Sequence, residues 1–290
     1  TPDFVVVDEI HYAKQASEDA MSTRRKNVMA LISNADKLNQ NLCVLGMSAT
    51  PVINNLEEGR SLIELVTSQE FPDLETTSTV PNAMRVHQQL VRLGVRWKPH
   101  YAPKLVVERP DVDCSEYIED IRSLGKQSVL PLEQLLTKAR LPEIRKRIKP
   151  KTLIYTYLIK GIDRILYDAL TEDGWKVGFY SGADKSGFDG FLHGDVDVLI
   201  GTSAIGTGVD HLQDVCDQLI INVLPWTNAE YEQLRGRIYR QGQQSEKVTV
   251  VIPTTYAEID GERWSWCDSK WDRVRFKKSL ADAAVDGVVP

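Results

Sequence analysis

The sequence predicts an α/β fold built on parallel sheet, and three observations predict it. From Pro150 onward, short β-branched runs alternate with helix-length amphipathic stretches, the pattern of successive βαβ units. Near the N-terminus two apolar runs, Phe4 to Val7 and Leu42 to Leu45, lead into carboxylates and hydroxyls, as buried parallel strands do when they deliver polar groups to their C-terminal edge. Far downstream, Gln233 to Gln243 reads QLRGRIYRQGQ, a composition poor for a core and placed after a strand.

Composition narrows the class. A chain of 290 residues is long enough for about two domains, and 42% hydrophobic with 26% charged is ordinary for a soluble globular protein. The formal charge of −6 argues against a wholesale polyanion binder and leaves room for a local basic groove. Cys43, Cys114, Cys216 and Cys267 form no CxxC or Cys/His cluster, so reduced, intracellular thiols are expected rather than a zinc site or a disulfide framework. No apolar run reaches the roughly 18 residues of a membrane span, and no secretory signal pattern opens the chain. The first residue is Thr1 and a strand follows almost at once, which predicts a piece of a longer protein.

Taken in order, Phe4-Val5-Val6-Val7 ends in Asp8-Glu9-Ile10-His11. Adjacent carboxylates at a strand exit suit two tasks, holding a hydrated Mg²⁺ and orienting a water, although a strand end with solvated charges has the same composition. Ser17 to Leu38 has helical spacing, with Val28, Leu31, Ile32, Ala35 and Leu38 on its apolar face. The second strand ends in Met47-Ser48-Ala49-Thr50-Pro51. Asn54 to Val66 reads as an asparagine-capped helix with Glu57 and Glu58 in its first turn and Leu56, Ile63 and Val66 on its apolar face. Loops are expected around Thr76 to Pro81 and Lys98 to Lys104, and helices over Met84 to Leu93, Ser115 to Leu124 and Leu130 to Ile148. The basic run Arg140, Arg145, Lys146, Arg147, Lys149 and Lys151 reads first as a solvated face and second as a phosphate-backbone contact.

After Pro150 the expected elements are strand Thr152 to Tyr157, helix Ile159 to Leu170 ending at Gly174, and strands Lys176 to Ser181, Val196 to Gly201 and Gln218 to Val223, with Val248 to Ile252 closing the sheet. Small residues from Gly201 to Gly208 let backbone and hydroxyls approach phosphate oxygens closely. Asn228 caps the next helix, whose 3.6-residue repeat places Gln233, Arg237 and Arg240 on one face. Two guanidinium forks there suit phosphoryl oxygens, and the same spacing fits a solvated basic helix. In the tail, Tyr256 to Ser279, Trp264, Trp266 and Trp271 lie among Arg263, Arg273 and Arg275. A terminal helix packing its tryptophans back on the protein is favoured there over base stacking.

DEIH, MSATP and QLRGRIYRQGQ in this order resemble the Walker B, Ser-Ala-Thr and arginine-finger motifs of superfamily-two helicases and translocases. TPVINNLEEGRSLIELV, DEIHYAKQ and RIYRQGQ resemble the signatures of the Swi/Snf-type double-stranded DNA translocases, and IDGERW resembles the TxDxxxW of the annealing-helicase branch. GTGVDHLQ departs from the GxGxNLQ usual in Swi/Snf-type proteins, and its Val209-Asp210 is similar to RNA helicases.

The resemblance implies RecA-like lobes with ATP and Mg²⁺ as nucleotide and metal, hydrolysis between two lobes, and double-stranded DNA as the partner. By residue, it implies Asp8 on Mg²⁺, Glu9 on the water, and Arg237 and Arg240 on the transition state. Gly206, Asp210 and Gln233 would face the nucleotide, and Thr202 or Ser203 the nucleic-acid backbone. His11, Ser48 and Thr50 would couple hydrolysis to movement. The domains implied are residues 1–53 as the remainder of a first RecA-like lobe, 54–149 as a helical protrusion and linker, 150–254 as a complete second lobe, and 255–290 as a helical tail. No GxxxxGK[ST] occurs, and in the resembled family that loop lies upstream of DEIH, so the chain is expected to begin inside the first lobe. An RNA helicase and a non-catalytic interaction module stand as the alternative readings.

Overall fold

The apolar runs form strands close to where the sequence puts them. The computed structural model describes residues 2–14, 21–97, 99–124, 129–206 and 208–289. Gln15 to Ala20, of which Ser17 to Ala20 open the first expected helix, Lys98 of an expected loop and Thr207 of the glycine-rich loop lie outside the described residues. The chain forms two compact units, one of Thr1–Lys98, Thr227–Ala229 and Val274–Pro290 and the other of Pro99–Trp226 and Glu230–Arg273.

In the first unit, β1 (Phe4–Val7) pairs in parallel with β2 (Cys43–Gly46), and α1 (Thr23–Leu38) lies between them in sequence. α2 (Leu56–Thr67) and α3 (Val80–Leu93) complete it. One face of the β1–β2 pair is covered, Val5 being buried, and Ile10, Ile32, Leu62 and Leu65 form a small core with Val7 and Val44. The other face is open, with Phe4 53% and Val6 50% exposed. Two strands give a helix only a narrow seat, so α1 buries Ile32 and Ala35 while Leu31 and Leu38, expected on its apolar face, point to water. Leu56 and Ile63 of α2 are buried as its spacing requires, and Val66 packs at the edge of the small core.

The second unit follows as β3 (Lys104–Glu108), β4 (Asp111–Asp113), α4 (Ile118–Ser123), α5 (Val129–Arg147), β5 (Thr152–Thr156), α6 (Ile162–Glu172), β6 (Val177–Tyr180), α7 (Gly187–His193) and β7 (Val198–Gly201). It continues as α8 (Ser203–Gly206), α9 (Leu212–Val215), β8 (Gln218–Val223), α10 (Asn228–Arg235), β9 (Lys247–Val251), β10 (Thr254–Ile259), β11 (Glu262–Trp264) and α11 (Trp266–Asp286). α10 and α11 contribute residues to both units.

Six parallel strands in the order β3-β9-β8-β5-β7-β6 form its sheet, consistent with a RecA-like helicase C-terminal lobe. Every residue of β5, β7 and β8 is buried, because separate apolar cores cover the two faces of the sheet. The expectation that Val248 to Ile252 closes the sheet is corrected: β9 has β3 on its far side, in register from Lys104 with Lys247 to Glu108 with Val251. The expectation of an all-helical tail is corrected too. Asp260 and Gly261, at φ 54 and 81, turn β10 into β11, the two-residue Asp-Gly connection of a tight hairpin.

Close packing of α7 on β6 depends on a glycine pair. A Cβ at Gly187 would lie 2.4 Å from the Phe179 nitrogen and 2.6 Å from the Gly178 Cα, both backbone atoms that cannot swing aside. Gly187→Ala is expected to lower stability by roughly 1–3 kcal/mol in denaturant titration, the scale of overpacking a tight contact. An unchanged midpoint would show that α7 does not pack as described.

A charged cluster lies buried in the same unit. Arg140 of α5 donates from both terminal nitrogens to Glu133 Oε2 at 3.2 and 3.3 Å, and Trp266 Nε1 donates to Glu133 Oε1 at 2.9 Å. Lys270 Nζ stands 3.6 Å from Glu133 Oε1 and 4.3 Å from the centre of the Trp226 ring, without a hydrogen bond. Glu133, Arg140 and Lys270 are each 1–2% exposed.

Candidate functional site

The predicted site residues fall into two groups, one in each unit. In the first unit, β1 ends at Val7 and the chain turns at once: Glu9 adopts φ 49, ψ 43, a left-handed conformation uncommon for a residue with a side chain. The turn is held by the Glu9 amide donating to Asp8 Oδ1 at 2.8 Å and the Ile10 amide donating to Met47 O at 3.0 Å. Both carboxylates are exposed at the strand exit. His11, by contrast, is 3% exposed, with Nδ1 at 3.0 Å from Ser48 Oγ and 3.1 Å from Glu9 Oε2.

Burial pushes the His11 imidazole below its ordinary value, against the opposing pull of Glu9. Ser48 Oγ also accepts the Thr50 amide at 3.0 Å, while Thr50 Oγ1 is buried and without a hydrogen-bond partner. Glu9, His11, Ser48 and Thr50 thus form one connected turn across two strand ends.

The loop after Thr50 is fixed by Glu58. Its Oε2 accepts the Ile53 and Asn54 amides at 2.8 and 2.9 Å, Lys14 Nζ pairs with its Oε1 at 2.8 Å, and its own amide donates to the capping Asn55. Burial raises the Glu58 carboxyl, and the contacts with Lys14 and Asn54 outweigh this, leaving it below the ordinary carboxylate value.

In the second unit, Gly206, Val209, Asp210, Arg237 and Arg240 gather beyond the end of β7. Arg237 donates from Nη2 to Gly206 O at 2.7 Å and from Nη1 to Val209 O at 2.9 Å, and Arg240 Nη1 pairs with Asp210 Oδ1 at 3.1 Å. The expectation of one helical face for Gln233, Arg237 and Arg240 is corrected. α10 ends at Arg235, and the Arg237 and Ile238 amides bond to Leu234 and Arg235 three residues back. Gly236 weakens the helix at that point, and the two carbonyls captured by Arg237 favour the departure from it. Gln233 therefore lies on α10 and the arginines on the turn after it. α10 itself begins at Asn228.

Thr202 and Ser203 differ in access. Thr202 is 7% exposed and its Oγ1 accepts the Ala204 amide at 3.5 Å, whereas Ser203 is exposed. Gly206 has open space where a Cβ would stand. Gly208, at φ 123, occupies a conformation that favours glycine.

The basic run is a solvated face only in part. Arg140 is buried on Glu133, Arg145 pairs with Asp173 at 2.8 Å, Arg147 with Glu143 at 2.7 Å, and Lys149 with Asp217 at 2.6 Å. The tryptophans pack inward: Trp271 meets Tyr231 edge-on at 5.2 Å, and Trp266 meets Trp226 at 6.2 Å.

Residues 132–242 match the family described as Helicase conserved C-terminal domain. Over those residues the second unit is therefore similar to a helicase C-terminal domain. The match contains Thr202, Ser203, Gly206, Asp210, Gln233, Arg237 and Arg240; Asp8, Glu9, His11, Ser48 and Thr50 lie outside it. No curated protein matches the chain. Among the described residues no helix is long and apolar enough to cross a membrane.

Proposed function

We propose that the protein is an ATP-driven translocase on double-stranded DNA, of the Swi/Snf type. The observation that carries this reading is the arginine turn of the helicase domain, where Arg237 is tied to the Gly206 and Val209 carbonyls and Arg240 to Asp210. An anion site built this way keeps two guanidiniums at a glycine-rich strand exit, the arrangement that phosphoryl transfer uses to stabilise equatorial oxygens.

The residues fit Mg²⁺ with ATP. Asp8 offers an exposed carboxylate at a strand exit, and no group of three or more His, Cys, Asp or Glu side chains among the described residues forms a dedicated metal cage. That suits a cation completed by substrate oxygens and water. Bound there, Mg²⁺ supplies charge neutralisation to the phosphates. Glu9, steadied by the His11 ring, orients the attacking water, and the Glu9-His11-Ser48-Thr50 turn relays the nucleotide state to neighbouring segments. Arg240 answers charge on the transferring phosphoryl group. Ser203, the accessible member of its pair, contacts the nucleic-acid backbone.

Val209-Asp210 favours a second reading, an RNA helicase, and one experiment separates the two. ATP hydrolysis by the intact protein is measured without nucleic acid, with duplex DNA and with duplex and single-stranded RNA. Stimulation by duplex DNA is expected. Greater stimulation by RNA would replace the DNA reading, and absence of hydrolysis under all conditions would leave a binding module.

A further inference from the structure

Arg25 stands apart from every residue assigned above. It lies in the first full turn of α1, is 4% exposed, and spends its guanidinium on neutral acceptors: Nη1 donates to Ala13 O at 3.1 Å, to Ser61 O at 3.1 Å and to Ser61 Oγ at 2.6 Å. Ser61 Oγ in turn donates to Lys14 O at 2.7 Å. Burying a cation among carbonyls and hydroxyls is expensive, and a leucine would fill the same seam at no electrostatic cost. What the arginine gains is the fixing of two consecutive carbonyls, Ala13 and Lys14, which are where the turn carrying His11 ends. That turn, Ile10–Ala13, is tied at its start by the Ile10 amide on Met47 O. It is therefore pinned at both ends, to the β2 exit at one and to Arg25 and Ser61 at the other.

We propose that Arg25 and Ser61 are positioning residues for Glu9: by clamping the carbonyls of Ala13 and Lys14 to α1 and α2 they hold the His11 ring against Ser48 and the Glu9 carboxylate. His11 cannot stay within 3.0 Å of Ser48 Oγ and 3.1 Å of Glu9 Oε2 if its own backbone turn shifts. Glu9, whose side chain is half exposed and meets the His11 ring at 3.1 Å, is steadied through that ring. The catalytic consequence rests on the proposed ATPase reading, while the clamp itself does not.

Two measurements on Arg25→Met, Arg25→Lys and Ser61→Ala decide it. The first is NMR: the two-bond ¹H–¹⁵N pattern of the His11 ring, which reports the Nδ1 hydrogen bond, and amide exchange at Tyr12 and Lys14, whose N–H groups donate to Glu9 O and His11 O. In Arg25→Met and Ser61→Ala the His11 pattern is expected to change and exchange at Tyr12 and Lys14 to rise about tenfold or more, with Val5 to Val7 unchanged, and Arg25→Lys is expected to restore both in part. The second is ATP turnover by the intact protein, where kcat should fall about tenfold with KM for ATP unchanged, the mark of lost positioning rather than lost binding. An unaltered His11 pattern in both Arg25→Met and Ser61→Ala overturns the clamp. A changed pattern with unchanged kcat, in a protein that hydrolyses ATP, overturns the positioning role. If the wild-type protein hydrolyses no ATP, the ATPase reading fails and the NMR result alone decides the clamp. If Arg25→Met does not fold, Ser61→Ala, which removes a single hydroxyl, carries both measurements.

Discussion

Replacing Arg240 with alanine is expected to reduce ATP turnover by the intact protein about 10³-fold while leaving its melting temperature unchanged. The two arginines of the turn are held differently, and on the proposed reading the difference separates the effects expected of their removal. Arg237 gives both terminal nitrogens to backbone carbonyls, 2.7 Å from Gly206 and 2.9 Å from Val209, so it shapes the glycine-rich loop it touches. Arg240 is held by one contact with Asp210, whose side chain is 72% exposed. A solvent-exposed pair of that kind is worth about 0–1 kcal/mol, little enough for the guanidinium to exchange it for phosphate oxygens. Arg237→Ala should therefore lose turnover and also loosen the loop, seen as faster amide exchange around Ile205 and Val209, whereas Arg240→Ala should lose turnover alone. Glu9→Gln is expected to match the loss of Arg240→Ala with ATP still bound, measured as nucleotide affinity by calorimetry. Full turnover in Arg240→Ala would remove that residue from the chemistry.

What was legible in the sequence was whatever burial writes as a run of apolar residues. Thr152 to Thr156 and Gln218 to Val223 announce strands because a parallel sheet covered on both faces favours apolar runs, and Phe4 to Val7 announces one by its β-branched run although one face of its sheet is open. β3 was hidden because Lys104 to Glu108 is short, bounded by polar residues and set among helical stretches, and a run of that length does not distinguish strand from helix. The Asp260-Gly261 turn was a usable signal, since flanking alternation with Asp-Gly is the strongest local mark of a hairpin. At the candidate site, the position of Asp8 and Glu9 at a strand end could be read from residue type and order, whereas the arginines, expected on a helical face, lie on the turn after α10. Arg25, Glu133, Arg140 and Lys270 could not, because a charged residue at a helical position reads as solvated surface until the tertiary partner is known. Each of these four is buried through contacts more than a helical turn away in sequence, such as Arg140 with Asn222 and Lys270 with Trp226.

Glu133→Gln is expected to be among the most damaging single substitutions in the second unit, because it strips the carboxylate from the buried Arg140 guanidinium. Arg140 cannot give up its proton, and Glu133 Oε2 accepts from both of its terminal nitrogens. Breaking a buried pair from one side costs about 3–5 kcal/mol, on the order of 10 °C in melting temperature for a domain of this size. Lys270 behaves in the opposite way. Burial holds its amine below the ordinary lysine value, and Glu133, at 3.6 Å, only partly opposes this. A lysine depressed in the folded state stabilises the fold fully only above its unfolded value near 10.5, and that contribution is lost as pH falls through the lowered folded value. At pH 7 the wild-type protein therefore carries a cost that methionine, similar in length and uncharged, does not. Lys270→Met is expected to melt at the same temperature as wild type or higher at pH 7, with the advantage shrinking as pH rises toward 10.5. Thermal melts of the two variants and wild type at pH 7, 8.5 and 10 would check both signs. A Lys270→Met protein less stable than wild type at pH 7 would show that the contacts of the amine with Glu133 and Trp226 outweigh the cost of its burial.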